Sequence, residues 1–115
     1  LAQRVWRGEP VDVTMGAVHL IWQGDACARA IQCLAHTSNP PTAVNVTGLD
    51  RLSIRELAGR LGERLGKPPC IQGIEGERGW IWDAARSYEW FGPPTVSLDE
   101  LLDATATWTR NGGPT

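Results

Sequence analysis

The sequence predicts an α/β protein, or α+β if the chain stands alone, built from about four helices and a few short strands. Three observations carry that expectation. Two stretches have the Ser-x-x-Glu spacing of a capping box, each followed by apolar residues at helical period. Short runs rich in β-branched residues lie between the helical stretches. Gly and Pro mark the junctions, at Gly8-Glu9-Pro10, Asn39-Pro40-Pro41, Gly66 to Pro69 and Gly92-Pro93-Pro94.

The elements follow in order. Val11 to Met15 alternates apolar and polar side chains, and Val18 to Trp22 is a second β-favouring run, so with Gly16-Ala17 between them the pair reads as a short hairpin. Asp25 precedes a helix over Ala26 to His36 whose apolar residues fall on nearly every side, and such a helix needs covering on more than one face. After Ser38 to Pro41 breaks it, Ala43-Val44-Asn45-Val46 reads as a short buried strand ended by Thr47-Gly48. Ser53 and Glu56 then start a helix with a stripe of Ile54, Leu57, Ala58, Leu61 and Leu65, which Gly66 and Pro68 end. Cys70 to Gln72 is one more strand, and a glycine-rich loop runs to Gly79. Asp83 caps a short helix reaching Phe91. Ser97 and Glu100 repeat the capping box, and Leu98, Leu101, Leu102, Thr105 and Trp108 form a stripe that places Trp108 in the core.

Size and charge narrow the function. A chain of 115 residues fits one domain, residues 1–115, and can bury a core without staples. With 11 basic against 13 acidic residues and no block of like charge, neither nucleic acid nor an anionic membrane is an expected partner. No apolar run approaches the roughly 20 residues of a membrane span, and no signal-peptide region opens the chain. Three cysteines, Cys27, Cys33 and Cys70, lack the even, dense pattern of a disulfide scaffold and read as reduced thiols of a cytoplasmic protein. A start at Leu1 without Met raises the expectation of a longer parent.

Three constellations invite a chemical reading. Gly73, Gly76 and Gly79 are spaced like a nucleotide-binding loop, but Glu75 and Glu77 inside it oppose a pyrophosphate, so a surface loop is the stronger reading. Cys33 and His36, with Cys27 and His19 nearby, lack the paired short spacings of a zinc site, and their alanine-rich neighbours favour buried, inert thiols. Among six tryptophans, Trp80 and Trp82 flank the glycine loop and are candidates for stacking against a sugar ring.

The order of these pieces resembles the C-terminal, substrate-side part of the extended short-chain dehydrogenases, the NAD(P)-dependent epimerase/dehydratase family. Val18-His19-Leu20 leading to Asp25 is similar to the family's "V-x-V-x-D" strand before an alanine-rich helix, with Trp22-Gln23-Gly24 as a departure. Asn45 to Gly48 matches "N-x-[GT]-G", Ser53 to Leu57 matches "[ST]-x-x-E-L", and Phe91 to Leu102 matches the family's "LG-x-x-P" ending and its final capped helix. The resemblance runs over roughly residues 8 to 110.

The resemblance implies a parent whose upstream Rossmann domain, absent from this chain, holds NAD or NADP and most of the chemistry. It implies Arg78 as the arginine that meets substrate phosphate, beside Trp80 and Trp82, with a nucleotide sugar as the substrate class. No cofactor is expected in this chain itself. The family's Tyr-x-x-x-Lys pair cannot be assembled, because Gly92 stands where a lysine should follow Tyr88, and Lys67 lies upstream. The leading expectation is therefore a substrate-binding domain that is not catalytic by itself and that self-associates through uncovered apolar surface. The alternatives are a binding or regulatory protein that keeps the fold without catalysis, and a free-standing interaction module.

Overall fold

The structure is a computed structural model, and it describes residues 1–114. Helix α1 (Ala2–Arg7) is followed by strands β1 (Pro10–Asp12) and β2 (Ala17–Val18), helix α2 (Gln23–Gln32) and a 3₁₀ turn (Cys33–His36). Then come β3 (Leu52–Ser53), α3 (Ile54–Leu65), β4 (Cys70–Gln72), β5 (Gly79–Trp80), α4 (Ala85–Phe91) and α5 (Leu98–Arg110). The mixed α/β class is as predicted, with five α-helices among the described residues where the sequence indicated about four. The additional one is α1, too short to show a helical period. It forms because Ala2 and Val5 are buried against the core, and because Gly8 ends it in the left-handed conformation that glycine takes without strain.

The core gathers Val5, Val11, Val13, Leu57, Ala58 and Leu61 with Leu102 and Ala106. Helix α3 supplies the centre, and its predicted stripe is borne out: Leu57, Ala58, Leu61 and Leu65 are all buried, and Ile54 packs against them. The Ser53 hydroxyl accepts from the Glu56 amide at 3.3 Å, and Gly66 closes the helix in the left-handed region. At α5 the reciprocal box is complete, with the Ser97 amide donating to Glu100 Oε2 at 2.8 Å. Arg60 and Arg64 cross from α3 to Asp99 and Asp103 on α5, an exposed network that aligns the two helices more than it stabilises them.

The strands pair differently from the expected hairpin. β1 lies parallel to β4, whereas β2 is antiparallel to β3 and parallel to β5. Gly16 serves close approach and not a turn, since a Cβ there would run into the backbone carbonyl of Gly76. Residues 43–46 form no strand: no described strand pairs with them, and their contacts run through side chains, Arg86 donating to the Ala43 carbonyl at 2.7 Å and Asn45 to the Asp83 carbonyl at 2.9 Å.

Helix α2 also departs from expectation. It starts at Gln23, so Asp25 lies inside its first turn and does not cap it, and from Cys33 the helix tightens into 3₁₀ geometry. Only Asp25 and Arg29 are buried on it. Cys27 is exposed and Cys33 half-buried, so the thiols are not in the core. Trp108, expected in the core, is 57% exposed, because the buried face of α5 is set by Leu102, Ala106 and Thr109. Its indole N–H donates to the Pro114 carbonyl at 3.0 Å.

Candidate functional site

β5 places the residues singled out at the end of the glycine loop. Gly79 pairs with Ala17 and Trp80 with Val18, and the His19 amide donates to the Trp80 carbonyl at 3.0 Å, so the backbone here is held while the side chains stay free. Trp80 is 60% exposed and forms one wall of a groove of about 540 Å³. Val18, Leu57 and Leu101 floor that groove, Trp108 and Met15 border it, and Asp12 and Thr105 are polar groups on its lining. Its size is that of a small-molecule site. Trp82 is half-exposed beyond the strand and does not line this groove, so the structure does not bring the two tryptophans together there.

Arg78 is exposed, just before β5. It does not pair with Glu75 or Glu77, the surface pairing open to it in sequence. Glu75 is taken by Arg55 at 3.2 Å and by the Ser53 hydroxyl at 2.5 Å, while Glu77 is met by Arg51 only at its main-chain carbonyl, at 3.3 Å, and its carboxylate is in no ion pair among the described residues. Among the described residues Arg78 makes no ion pair. Its planar fork of donors is thus uncommitted, the state in which arginine can meet a phosphate or carboxylate bidentately.

The glycine loop itself has the wrong setting for a dinucleotide. It leads through Gly79 into a strand, and α4 starts only at Ala85, so no helix follows the loop directly as in the dinucleotide fingerprint, and the helix start it does meet, that of α3, is occupied by Glu75. Hydrogen bonds from Ser53, and then from Arg55, hold the Glu75 carboxyl below its ordinary value, so it stays ionised and repels an incoming anion. Among the described residues no group of three or more His, Cys, Asp or Glu side chains could hold a metal ion, and no helix is long and apolar enough to cross a membrane. Tyr88 lies under the Arg29 guanidinium, 5.1 Å from its ring centre, while Lys67 donates to the Trp6 carbonyl at 2.8 Å and sits 4.2 Å over that indole.

A second cleft, of about 310 Å³, adjoins the groove through Leu20 and Leu101, which line both. Trp22, Asp50, Tyr88, Pro93 and Pro94 form its sides. Sequence reasoning missed the polar cluster behind it. Asp25 accepts from the Thr95 hydroxyl at 2.5 Å and from the Thr95 and Val96 amides at 3.1 Å each. Arg29 donates to Ser87 Oγ at 3.0 Å and to the Gly92 carbonyl at 2.6 Å. The available signal was a pair of opposite charges four apart in an otherwise uncharged, alanine-rich helix.

The Thr95 hydroxyl first, then the backbone amides and Arg29, hold the Asp25 carboxyl below its ordinary 3.8. A carboxyl depressed in the folded state stabilises it above the unfolded value, and that contribution is lost as pH falls through the folded value. Urea midpoints taken from about pH 5 down to about pH 3 should therefore fall less steeply in Asp25→Asn than in the parent sequence. Identical slopes would count Asp25 out.

No family model matches the chain, and no curated protein matches it. Its fold, however, is part of the extended short-chain dehydrogenase fold. Among solved structures it is similar to UDP-glucose 4-epimerase of Thermus thermophilus in complex with NAD, at TM-score 0.75 and 20% identity over 95% of this chain and 38% of that one. UDP-glucuronic acid 4-epimerase of Bacillus cereus, with UDP-glucuronic acid and NAD, aligns at TM-score 0.74 and 18% identity, covering 96% of this chain and 38% of that one. dTDP-glucose 4,6-dehydratase of Bacillus anthracis str. Ames, in complex with NAD, aligns at TM-score 0.73 and 17% identity, covering 96% of this chain and 37% of that one. The chain thus spans under two fifths of each of these three structures.

Proposed function

We propose that this chain is the C-terminal, substrate-side part of an NAD(P)-dependent sugar epimerase or dehydratase, binding substrate but not catalytic by itself. The observation that carries the reading is the fold shared with three enzymes whose structures hold NAD, one of them with its UDP-sugar, over nearly the whole of this chain. Trp80 supports it as a stacking face on the groove it lines, and the uncommitted Arg78, two residues earlier and outside that lining, would supply a phosphate contact to a nucleotide sugar. Trp82 is a further substrate contact in this reading. An upstream Rossmann domain in the full-length parent would hold NAD or NADP and supply the proton-transfer pair that Tyr88 and Gly92 do not form. Cytoplasmic location belongs to the same proposal.

The test is Arg78→Ala in the full-length parent. An arginine that binds ground state and transition state alike raises KM, by about tenfold for a lost charged hydrogen bond, and leaves kcat nearly unchanged. Unchanged kinetics with every accepted sugar nucleotide would return Arg78 to solvent. In the chain alone, the uncovered apolar surface at Ile31, 69% exposed, and Leu34, 71% exposed, drives self-association. Light scattering should show a mass that rises with concentration, and a constant monomer mass would contradict this.

A further inference from the structure

Helix α2 is built inside out. Asp25 and Arg29 are its only buried residues, and no other Asp, Glu, Lys or Arg occurs from Gln23 to His36. Cys27, Ala28 and Ile31 face outward instead. The helix therefore meets the rest of the molecule mainly through charged groups, and both charges reach the same short segment. Arg29 holds its start, at the Gly92 carbonyl, and Asp25 holds its end, at the Thr95 and Val96 amides. Between those anchors Pro93 and Pro94 form a wall of the 310 Å³ cleft, and the segment runs directly into the Ser97 cap of α5.

We propose that α2 and residues 92–96 move as one mechanical unit, with Asp25 and Arg29 as a two-point clamp that carries any displacement of α2 to the wall of the cleft. Apolar contact is non-directional and tolerates sliding. Hydrogen bonds to buried charges are directional and costly to leave unmade, so a shifting α2 must take the segment with it or strand a charge. The inference goes beyond the substrate-side reading and stands or falls without it.

Amide hydrogen exchange on the whole chain tests the clamp. The Thr95 and Val96 amides donate to Asp25 and not to Arg29, so they report transmission and not local loss. Arg29→Lys keeps the positive charge, but an ammonium cannot span Ser87 and Gly92 as the guanidinium fork does. The clamp requires exchange at Thr95 and Val96 to quicken about tenfold in Arg29→Lys while the Leu57 to Leu61 amides of α3 keep their rates. Conversely, Asp25→Asn must quicken exchange of the Gly92 amide, which donates to the Tyr88 carbonyl at 2.8 Å. Unchanged rates at Thr95 and Val96 in Arg29→Lys, or at Gly92 in Asp25→Asn, would show two independent anchors and overturn the clamp. Equal acceleration throughout α3 would show global loosening and overturn it as well.

Discussion

Leu57→Ala is expected to lower the unfolding free energy by about 2–5 kcal/mol, read from the urea midpoint at constant slope. Leu57 is 2% exposed at the centre of the α3 stripe, where α1, β1 and α5 converge. Truncation removes the transfer energy of the side chain and leaves a cavity that helices tied at both ends cannot fill. Since a domain of this size is stable by about 5–15 kcal/mol in total, the loss is a large share of it. Ile31→Ala provides the contrast: the side chain is 69% exposed, and its removal should change stability by no more than about 0.5 kcal/mol. A Leu57→Ala cost below about 1 kcal/mol would mean that the core lies elsewhere.

Gly16→Ala should destabilise by about 1–3 kcal/mol or more, through collision and not through lost contacts. An added Cβ would meet the Gly76 carbonyl, a backbone atom that cannot rotate away, and the Gly16 carbonyl is itself held by the Ile54 amide at 3.1 Å. The way out is for the loop over residues 73–79 to lift from β2, which would also undo the pairing of β5. Loss of protection at the His19 amide, which donates to the Trp80 carbonyl at 3.0 Å, should therefore accompany the destabilisation. Gly59 is the control: a Cβ there meets nothing within 4 Å, so Gly59→Ala inside α3 should stabilise by about 0.5–1 kcal/mol. If Gly16→Ala proved as benign as Gly59→Ala, the loop would not sit on β2 as the structure has it.

The candidate site was partly legible. Arg78 and Trp80 are both exposed, because the end of a glycine-rich loop cannot easily be buried, and of the two only Trp80 lines the groove. The groove that Trp80 walls was not legible, since its floor comes from β2, α3 and α5, which lie far apart along the chain. Trp108 is instructive. Its place in the stripe of α5 marked it as core, yet the face that a helix buries is chosen by its partners, and α1 and α3 take Leu102 and Ala106 instead.

By itself, the sequence determined α3 and α5 with their caps, the turn positions at Gly66 and Gly92, the strand at Cys70 to Gln72 and the α/β class. The caps and turns depend on interactions between residues within a few positions of one another, which a linear reading contains, and the strand shows in the sequence as a short segment between turn signals even though its partner does not. Tertiary structure alone decided the parallel pairing of β1 with β4 and β2 with β5, the existence of α1, the missing strand over 43–46 and the burial of Asp25 and Arg29 on a helix whose apolar side faces out. Each of those is a choice of partner far along the chain, or the lack of one, as Asp25 to Thr95 at a separation of 70 illustrates. Local propensity costs a fraction of a kcal/mol per residue, whereas an unpaired buried charge or an unpaired backbone group costs more, so the distant partner prevails.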